Sequence, residues 1–187
     1  RGESRIARSA ARSGRVFLAA SPAADRGQRR LGGKQAYHRI LSGPASEALL
    51  AEIPGDEESL TWPVPDGTRG RGFGYVRRQA LRGRLHRGVD MPAAVGARVR
   101  AAKNGLVIYA DNSVRGYGNL VVLLHADDTR TFYAHLDAAY VFAGQTVERG
   151  AIIGDVGRTG MTRAAHLHFE FRRRAVPRSP RRLFVDR

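Results

Sequence analysis

Short apolar runs separated by turn-forming sequences fill the second part of the chain, over residues 61–172. The runs include ARVRAAKNGLVIYAD, GNLVVLLHA, RTFYAHLD, QTVERGAIIGDVG and HLHFEF, and the turns include RGYGN, ADDT and GRTG. Such spacing is typical of β-strands joined by tight turns. Because no segment of this region carries a long 3.6-residue period, the pattern predicts a compact, mostly antiparallel β-sheet domain.

Residues 1–60 have a different pattern. ESRIARSAARSG and PASEALLAEIPG are compatible with helices, and the second has start signals at Pro44 and Ser46 and stop signals at Pro54 and Gly55. The sequence SPAADRGQRRLGGKQ between them predicts a loop. We interpret residues 1–60 as a helical or linker segment. One alternative is a pro-segment that occupies a binding groove of the domain that follows. Another is a degenerate LysM glycan-binding module, which the first 35 residues weakly resemble.

Residues 173–187 form a basic tail that prolines interrupt, and we predict that this tail is a surface extension. The whole chain has a formal net charge of +15, with 32 lysines and arginines against 17 acidic residues. The sequence contains no basic helix with interleaved aromatic residues, so we expect no specific nucleic-acid partner. An anionic cell wall would attract the same charge. No apolar run reaches the ~18 residues that span a bilayer, so no transmembrane segment is expected.

Cysteine is absent, which leaves histidine, aspartate and glutamate as the candidate metal ligands. Two of the six histidines, His38 and His125, are interpreted as surface or core residues. His125 ends the apolar run LVVLLH, where it can cap a strand. The other four histidines lie in more informative surroundings.

The stretch HLHFEF predicts a strand with two unlike faces, because successive strand side chains point to opposite sides. One face carries His166, His168 and Glu170, and the other carries Leu167, Phe169 and Phe171.

The stretch HRGVDM places His86 four residues before Asp90. A histidine and a carboxylate from one segment, with a histidine from a distant strand, can form a three-ligand zinc site that leaves one position for water. In TFYAHL, we expect His135 to share a strand face with Thr131 and Tyr133 and to supply a proton shuttle. The alternative is a polar strand face that binds no metal.

Five stretches together resemble the lysostaphin/LytM-type zinc metallopeptidases, also called peptidase family M twenty-three: HRGVDMPAAVGARVRAAKNGLVIYA, GYGNLVVLLH, TFYAHL, VERGAIIGDVGRTG and HLHFEF. The resemblance covers about residues 61–172 in the family's order and spacing. It implies the family's antiparallel β-sheet metallopeptidase domain, a duplicated hybrid motif, with zinc as the cofactor.

Carried over residue by residue, the resemblance also implies the site. His86, Asp90 and His168 would bind zinc, and His135 and His166 would be the catalytic histidines. Asn119 and Tyr133 are candidates for contacts with the substrate or with the metal ligands.

The function that the resemblance implies is a zinc endopeptidase that hydrolyses the peptides of bacterial peptidoglycan. Such an enzyme would work in the periplasm, in the cell envelope or as a secreted protein. A non-enzymatic wall-binding or regulatory module on the same fold is the alternative, and a basic nucleic-acid binder is a third hypothesis.

Overall fold

The structure is a computed structural model that describes residues 45–75 and 85–185. The helix predicted at residues 3–14, the loop predicted at residues 21–35, the LysM resemblance and His38 lie outside the described residues. The elements in chain order are α1 (Glu47–Ala51), β1 (Gly74–Tyr75), β2 (Leu85–His86), β3 (Val89–Pro92), β4 (Arg98–Arg100), β5 (Gly105–Asp111), β6 (Asn119–Leu124), β7 (Thr129–Ala139), β8 (Thr146–Val147), β9 (Ile152–Val156), β10 (His166–Arg173) and β11 (Val176–Arg178).

Nine of the strands form one antiparallel sheet, which confirms the predicted fold class. Its main path runs β11-β10-β7-β6-β5-β8. The strand β3 pairs with the first half of β10, along the edge opposite β7, and β9 pairs with both β4 and β7. The strands β1 and β2 form a separate two-stranded ribbon. This order places β10 between β3 and β7, so side chains from three strands can meet around it.

Apolar side chains pack on both faces of the sheet, in two clusters. The first cluster includes Leu167, Phe169 and Tyr133, and the second includes Phe132 and Ala134. The alternation predicted for HLHFEF is confirmed, since its leucine and both phenylalanines lie in the first cluster. Over the described ranges, no helix has the length and apolar composition needed to cross a membrane.

The helix predicted near residues 44–55 is present as the short helix α1. Ser46 caps it, with its side-chain oxygen accepting a hydrogen bond from the backbone N–H of Leu49 at 3.3 Å. Leu49 and Ile53 are buried in the second cluster. Residues 45–60 therefore pack on the sheet.

The sequence analysis predicted that residues 173–187 are a surface extension, and the structure corrects this prediction for residues 173–185. β11 pairs with β10, and Leu60 forms a parallel bridge with Phe184. The ring of Phe184 meets Trp62 edge-on, with 5.0 Å between ring centroids. Apolar residues between the arginines allow this packing, because Leu183 and Phe184 cover the edge of the first cluster. The division of the chain into three domains stays a prediction.

Candidate metal centre

Strand pairing brings together two predicted ligands, Asp90 and His168, that come from different segments of the chain. In the antiparallel pair β3 and β10, Asp90 lies opposite His168. Gly88 makes this approach possible, because a Cβ at this position would overlap the carbonyl oxygen of Phe169. His86, two residues before Gly88, is thereby held over β10.

Three ligand atoms of the site converge closely. Oδ1 of Asp90 lies 2.8 Å from Nδ1 of His168 and 3.1 Å from Nε2 of His86, and these two nitrogens are 3.2 Å apart. Among the described residues, these three form a group whose ligand atoms lie close enough together to hold one metal ion. The structure thus brings together the three residues for which the sequence analysis predicted zinc binding.

Hydrogen bonds on the far side of each ring determine which nitrogen faces the site. Nδ1 of His86 donates to the carbonyl oxygen of Gly72 at 2.7 Å, and Nε2 of His168 donates to Oε1 of Glu170 at 3.1 Å. In the neutral rings, the remaining nitrogens carry lone pairs. Once His168 has lost its second proton, two lone pairs and a carboxylate oxygen point at one another, an arrangement that a cation between them stabilises.

Zinc fits this donor set. Its distances to imidazole nitrogen and carboxylate oxygen are about 2.0–2.2 Å, so the ligand atoms of a tetrahedral site lie roughly 3.3 Å apart. The observed separations of 2.8 to 3.2 Å are close to that spacing. Two imidazoles with one carboxylate are also a ligand combination that zinc uses in hydrolases.

A buried polar group lies beneath His168 and holds it in place. Glu170 accepts hydrogen bonds from Tyr117 at 2.8 Å and from Nε of Arg172 at 2.7 Å. Glu170 and Arg172 are each 1% exposed, and the Arg172 guanidinium lies 4.4 Å from the ring centroid of Phe132. Burial alone would raise the pKa of Glu170, but His168 and Arg172 lower it, so the carboxylate stays charged.

The sequence analysis missed Arg172 and Tyr117 as supports of the site. The signal for Arg172 was available, because the alternation that groups His168 with Glu170 continues to Arg172. Tyr117 follows the loop turn at Gly116 and carried no comparable signal.

The environment of His168 opposes proton loss in the absence of a metal. Burial would lower the pKa of this imidazole, but its hydrogen bonds with Asp90 and Glu170 raise the pKa to about 9. A metal ion must therefore displace a proton from Nδ1 as it binds.

His135 reaches the site through an irregularity in β7. The sequence analysis expected it to share a face with Thr131 and Tyr133, and this expectation is wrong. His135 has a φ of 63° at a bulge in the pairing of β7 with β6. A left-handed residue breaks the alternation, so the side chain turns to the opposite face. Its ring centroid lies 4.9 Å from that of His166 and 5.9 Å from that of His168.

Both additional histidines are oriented by backbone carbonyls. Nδ1 of His135 donates to the carbonyl oxygen of Thr159 at 2.7 Å, and Nδ1 of His166 donates to that of Ala164 at 2.9 Å. Burial lowers the pKa of His135 to about 4. Burial also acts to lower the pKa of His166, but hydrogen bonds with Asp90 and Ala164 outweigh it and raise that pKa.

The two predicted substrate contacts lie in different surroundings. Tyr133 is fully buried on the opposite face, where its hydroxyl oxygen accepts from the Ala102 N–H at 2.8 Å, so the structure does not bring it to the site. The Asn119 side-chain amide donates to the carbonyl oxygens of Leu136 and Asp137, both at 3.0 Å. Asn119 braces the strand after His135, and its contact with a substrate stays a prediction.

The chain is similar to known proteins over the part that carries the site. The model of Peptidase family M23 matches residues 84–180. The Murein hydrolase activator NlpD of Salmonella dublin is 30% identical over 167 residues, which are 83% of this chain and 44% of that protein. This chain spans less than half the length of the curated relatives that it matches.

Two solved structures share the fold. A zinc-containing peptidase from Vibrio cholerae is 33% identical with a TM-score of 0.60, over 65% of this chain and 39% of that chain. The catalytic domain of the antimicrobial peptidase lysostaphin from Staphylococcus simulans is 28% identical with a TM-score of 0.55, over 73% of this chain and 96% of that chain.

Proposed function

Since the chain belongs to peptidase family M23, we propose that it is a zinc-dependent endopeptidase that hydrolyses peptide bonds in bacterial peptidoglycan. The observation that carries this proposal is the convergence of three metal-compatible side chains and two further histidines on one face of the sheet. A module that only binds the cell wall requires no such set.

Three atoms would hold the zinc: Nε2 of His86, an oxygen of Asp90 and Nδ1 of His168. When bound, zinc supplies a Lewis acid that polarises the substrate carbonyl and acidifies water. Three protein ligands are typical of catalytic zinc sites, whereas structural sites use four.

His135 is the proton acceptor in this proposal. Its Nδ1–H donates to Thr159, so the lone pair of the neutral ring lies on Nε2. Because burial lowers its pKa to about 4, the ring is neutral at pH 7. Nε2 can therefore take a proton from the attacking water.

His166 is the proton donor in this proposal. Its Nδ1 is engaged by Ala164, and its Nε2 lies 3.5 Å from Oδ1 of Asp90. The raised pKa of His166 favours the protonated ring, whose Nε2–H can donate to a developing oxyanion or to the leaving amine. Two imidazoles whose pKa values are moved apart can divide the acid and base roles.

A regulatory module is the second candidate function. One comparison favours it, because a relative that matches 83% of this chain is named a murein hydrolase activator. Such a module would bind the cell wall or another hydrolase without cleaving peptides itself.

Metal analysis combined with a cleavage assay separates the two functions. We expect about one zinc per chain by elemental analysis and chelator-sensitive release of peptide ends from purified peptidoglycan. His168→Ala should lose both zinc and cleavage, whereas His135→Ala should keep zinc and lose cleavage. If the wild type binds zinc but cleaves nothing, and both it and His135→Ala stimulate a second peptidoglycan hydrolase, the regulatory function replaces the enzymatic one.

We also propose that the protein works in the bacterial cell envelope or outside the cell, where its charge of +15 adds affinity for the anionic wall. Co-sedimentation with purified sacculi at low and high salt tests this. Retention that falls as salt rises supports an electrostatic contribution. Absence of retention at low salt would contradict it.

A further inference from the structure

A cavity of about 230 Å³ lies next to the metal centre. Its lining comes from the segment before β1, from β3 and from the tail, and includes Trp62, Arg69, Arg71, Asp90, Arg181 and Phe184. Asp90 belongs both to this lining and to the metal centre. A ligand in the cavity would therefore lie within reach of the catalytic histidines.

The charges of the lining are unbalanced in favour of anions. Three arginines line the cavity, Arg69, Arg71 and Arg181, against one acidic residue, Asp90. This carboxylate is already engaged, by the histidines at Oδ1 and by Nε of Arg71 at 3.3 Å at Oδ2. Within residues 45–75 and 85–185, Arg69 and Arg181 have no ion-pair partner. These two arginines are exposed and line the cavity, so their charges are available for an anionic ligand.

The rest of the lining is apolar and aromatic. Trp62 and Phe184 are in edge-to-face contact, and Val89 packs against the same cluster. A guanidinium group binds a carboxylate through two parallel hydrogen bonds, and apolar walls stabilise an aliphatic group attached to it. A small amino acid with a free carboxylate combines both features, whereas inorganic phosphate has no apolar part.

We propose that this cavity binds the free carboxylate of a short peptide between Arg69 and Arg181, with the adjoining aliphatic side chain against Trp62 and Phe184. This inference rests on the proposed function for the origin of the peptide. The proposal narrows the substrates to peptides that carry a free carboxylate close to the scissile bond, because Asp90 lines the cavity and also lies 3.5 Å from Nε2 of His166.

Trp62 provides a direct probe of binding, because it is the only tryptophan in the chain. The test titrates the full chain with N-acetyl-D-alanine and with its carboxamide, following Trp62 fluorescence and, in parallel, heat by calorimetry. We expect saturable binding of the acid and at least tenfold weaker binding of the amide. The double variant Arg69→Gln/Arg181→Gln should weaken binding of the acid at least tenfold.

The matched control is Arg178→Gln/Arg182→Gln, which removes the same charge from exposed residues outside the cavity lining. It should bind the acid within twofold of the wild type. Equal binding of acid and amide, wild-type binding by the cavity variant, or no heat and no fluorescence change would each overturn the proposal. Inorganic phosphate that binds as tightly as the acid would make this a general anion site and would overturn the peptide assignment.

This experiment does not depend on turnover, so it separates the two proposals. Carboxylate binding by a chain that holds zinc but cleaves no peptide would leave the cavity proposal standing and would remove the hydrolase. Peptide cleavage by a chain that binds the acid no better than the carboxamide would leave the hydrolase proposal standing and would remove the cavity proposal.

Discussion

Glu170 accepts a hydrogen bond from Nε2 of His168 at 3.1 Å, and this bond determines that Nδ1 of His168 faces Asp90. The carboxylate is itself held by Arg172 from the same strand and by Tyr117 from a neighbouring loop. The orientation of His168, a proposed zinc ligand, thus depends on a buried ion pair that lies behind the ring.

The variant Glu170→Gln should bind zinc about 10–100-fold more weakly than the wild type, because loss of the negative charge makes His168 a poorer ligand. Competition with a chromophoric chelator measures this affinity. The variant also leaves the charge of Arg172 buried without its carboxylate, so we expect its unfolding free energy to fall by several kcal/mol.

The matched variant for this prediction is Tyr117→Phe, which removes the uncharged hydroxyl that donates to Glu170 and accepts from Arg172, and keeps the charge of Glu170. Its zinc affinity should fall by less than about tenfold. If folded Glu170→Gln binds zinc as tightly as the wild type, the role assigned to Glu170 is wrong.

Gly160 allows the loop before β10 to approach the turn at Gly118. Its φ is 74°, and a Cβ would overlap the backbone nitrogen of Gly118. Gly160→Ala should therefore displace the neighbouring Thr159, which orients His135, and reduce turnover at least tenfold while zinc remains bound. Elemental analysis and the cleavage assay check both parts.

Gly150→Ala is the control for Gly160→Ala. Gly150 also has a positive φ, of 82°, but a Cβ there would meet no atom within 4 Å. We expect this variant to lose about 1 kcal/mol of unfolding free energy through backbone strain alone, with unchanged turnover. Equal turnover of the two variants would contradict the assigned role of the close approach.

His125 should make stability depend on pH. Its ring is fully buried between the carbonyl oxygen of Asn104 and the hydroxyl of Thr131, and burial lowers its pKa from 6.5 to about 4. Below pH 6.5 the unfolded chain binds a proton that the folded chain does not. The contribution of the neutral ring is therefore complete above pH 6.5 and is lost as the pH falls towards 4, by about 3 kcal/mol.

Urea unfolding of metal-free protein between pH 7.5 and 4 measures this effect. Comparison with His125→Gln isolates it, since the other histidines titrate in both proteins. The variant should be less stable at pH 7.5 and should lose less stability on acidification. Parallel pH dependences of the two proteins would show that His125 titrates normally.

Arg149 attaches the segment before the sheet to the rest of the protein. Its guanidinium donates to Asp56 at 2.8 Å, to the carbonyl oxygen of Ser59 at 2.9 Å and to the hydroxyl of Thr61 at 3.1 Å. Arg149→Lys keeps the charge but cannot make all these bonds, so the unfolding free energy should fall by about 1–2 kcal/mol. Limited proteolysis should also cut residues 52–60 faster.

The exposed substitution Arg158→Lys serves as the control for Arg149→Lys and should change neither quantity. Indistinguishable cleavage of Arg149→Lys and Arg158→Lys at residues 52–60 would show that these bonds do not hold the segment.

The sequence determined the parts of this protein that depend on local periodicity and on short motifs. The alternation in HLHFEF placed His166, His168 and Glu170 on one strand face, and the spacing of His86 and Asp90 predicted a pair of metal ligands, which the structure brings together with His168. Both follow from the two-residue repeat of a strand and from the small set of residue types that bind zinc. The absence of helical periodicity also predicted the antiparallel sheet.

Only the tertiary structure decided the features that depend on breaks in that periodicity and on distant contacts. A single left-handed residue moves His135 to the face of His168 and leaves Tyr133 in the core on the other face, and no local pattern marks such a bulge. The tail joins the sheet through β11, and its Phe184 contacts Trp62, more than a hundred residues away in sequence. The free energy of such contacts comes from burial that involves both partners at once, so neither segment reveals it alone.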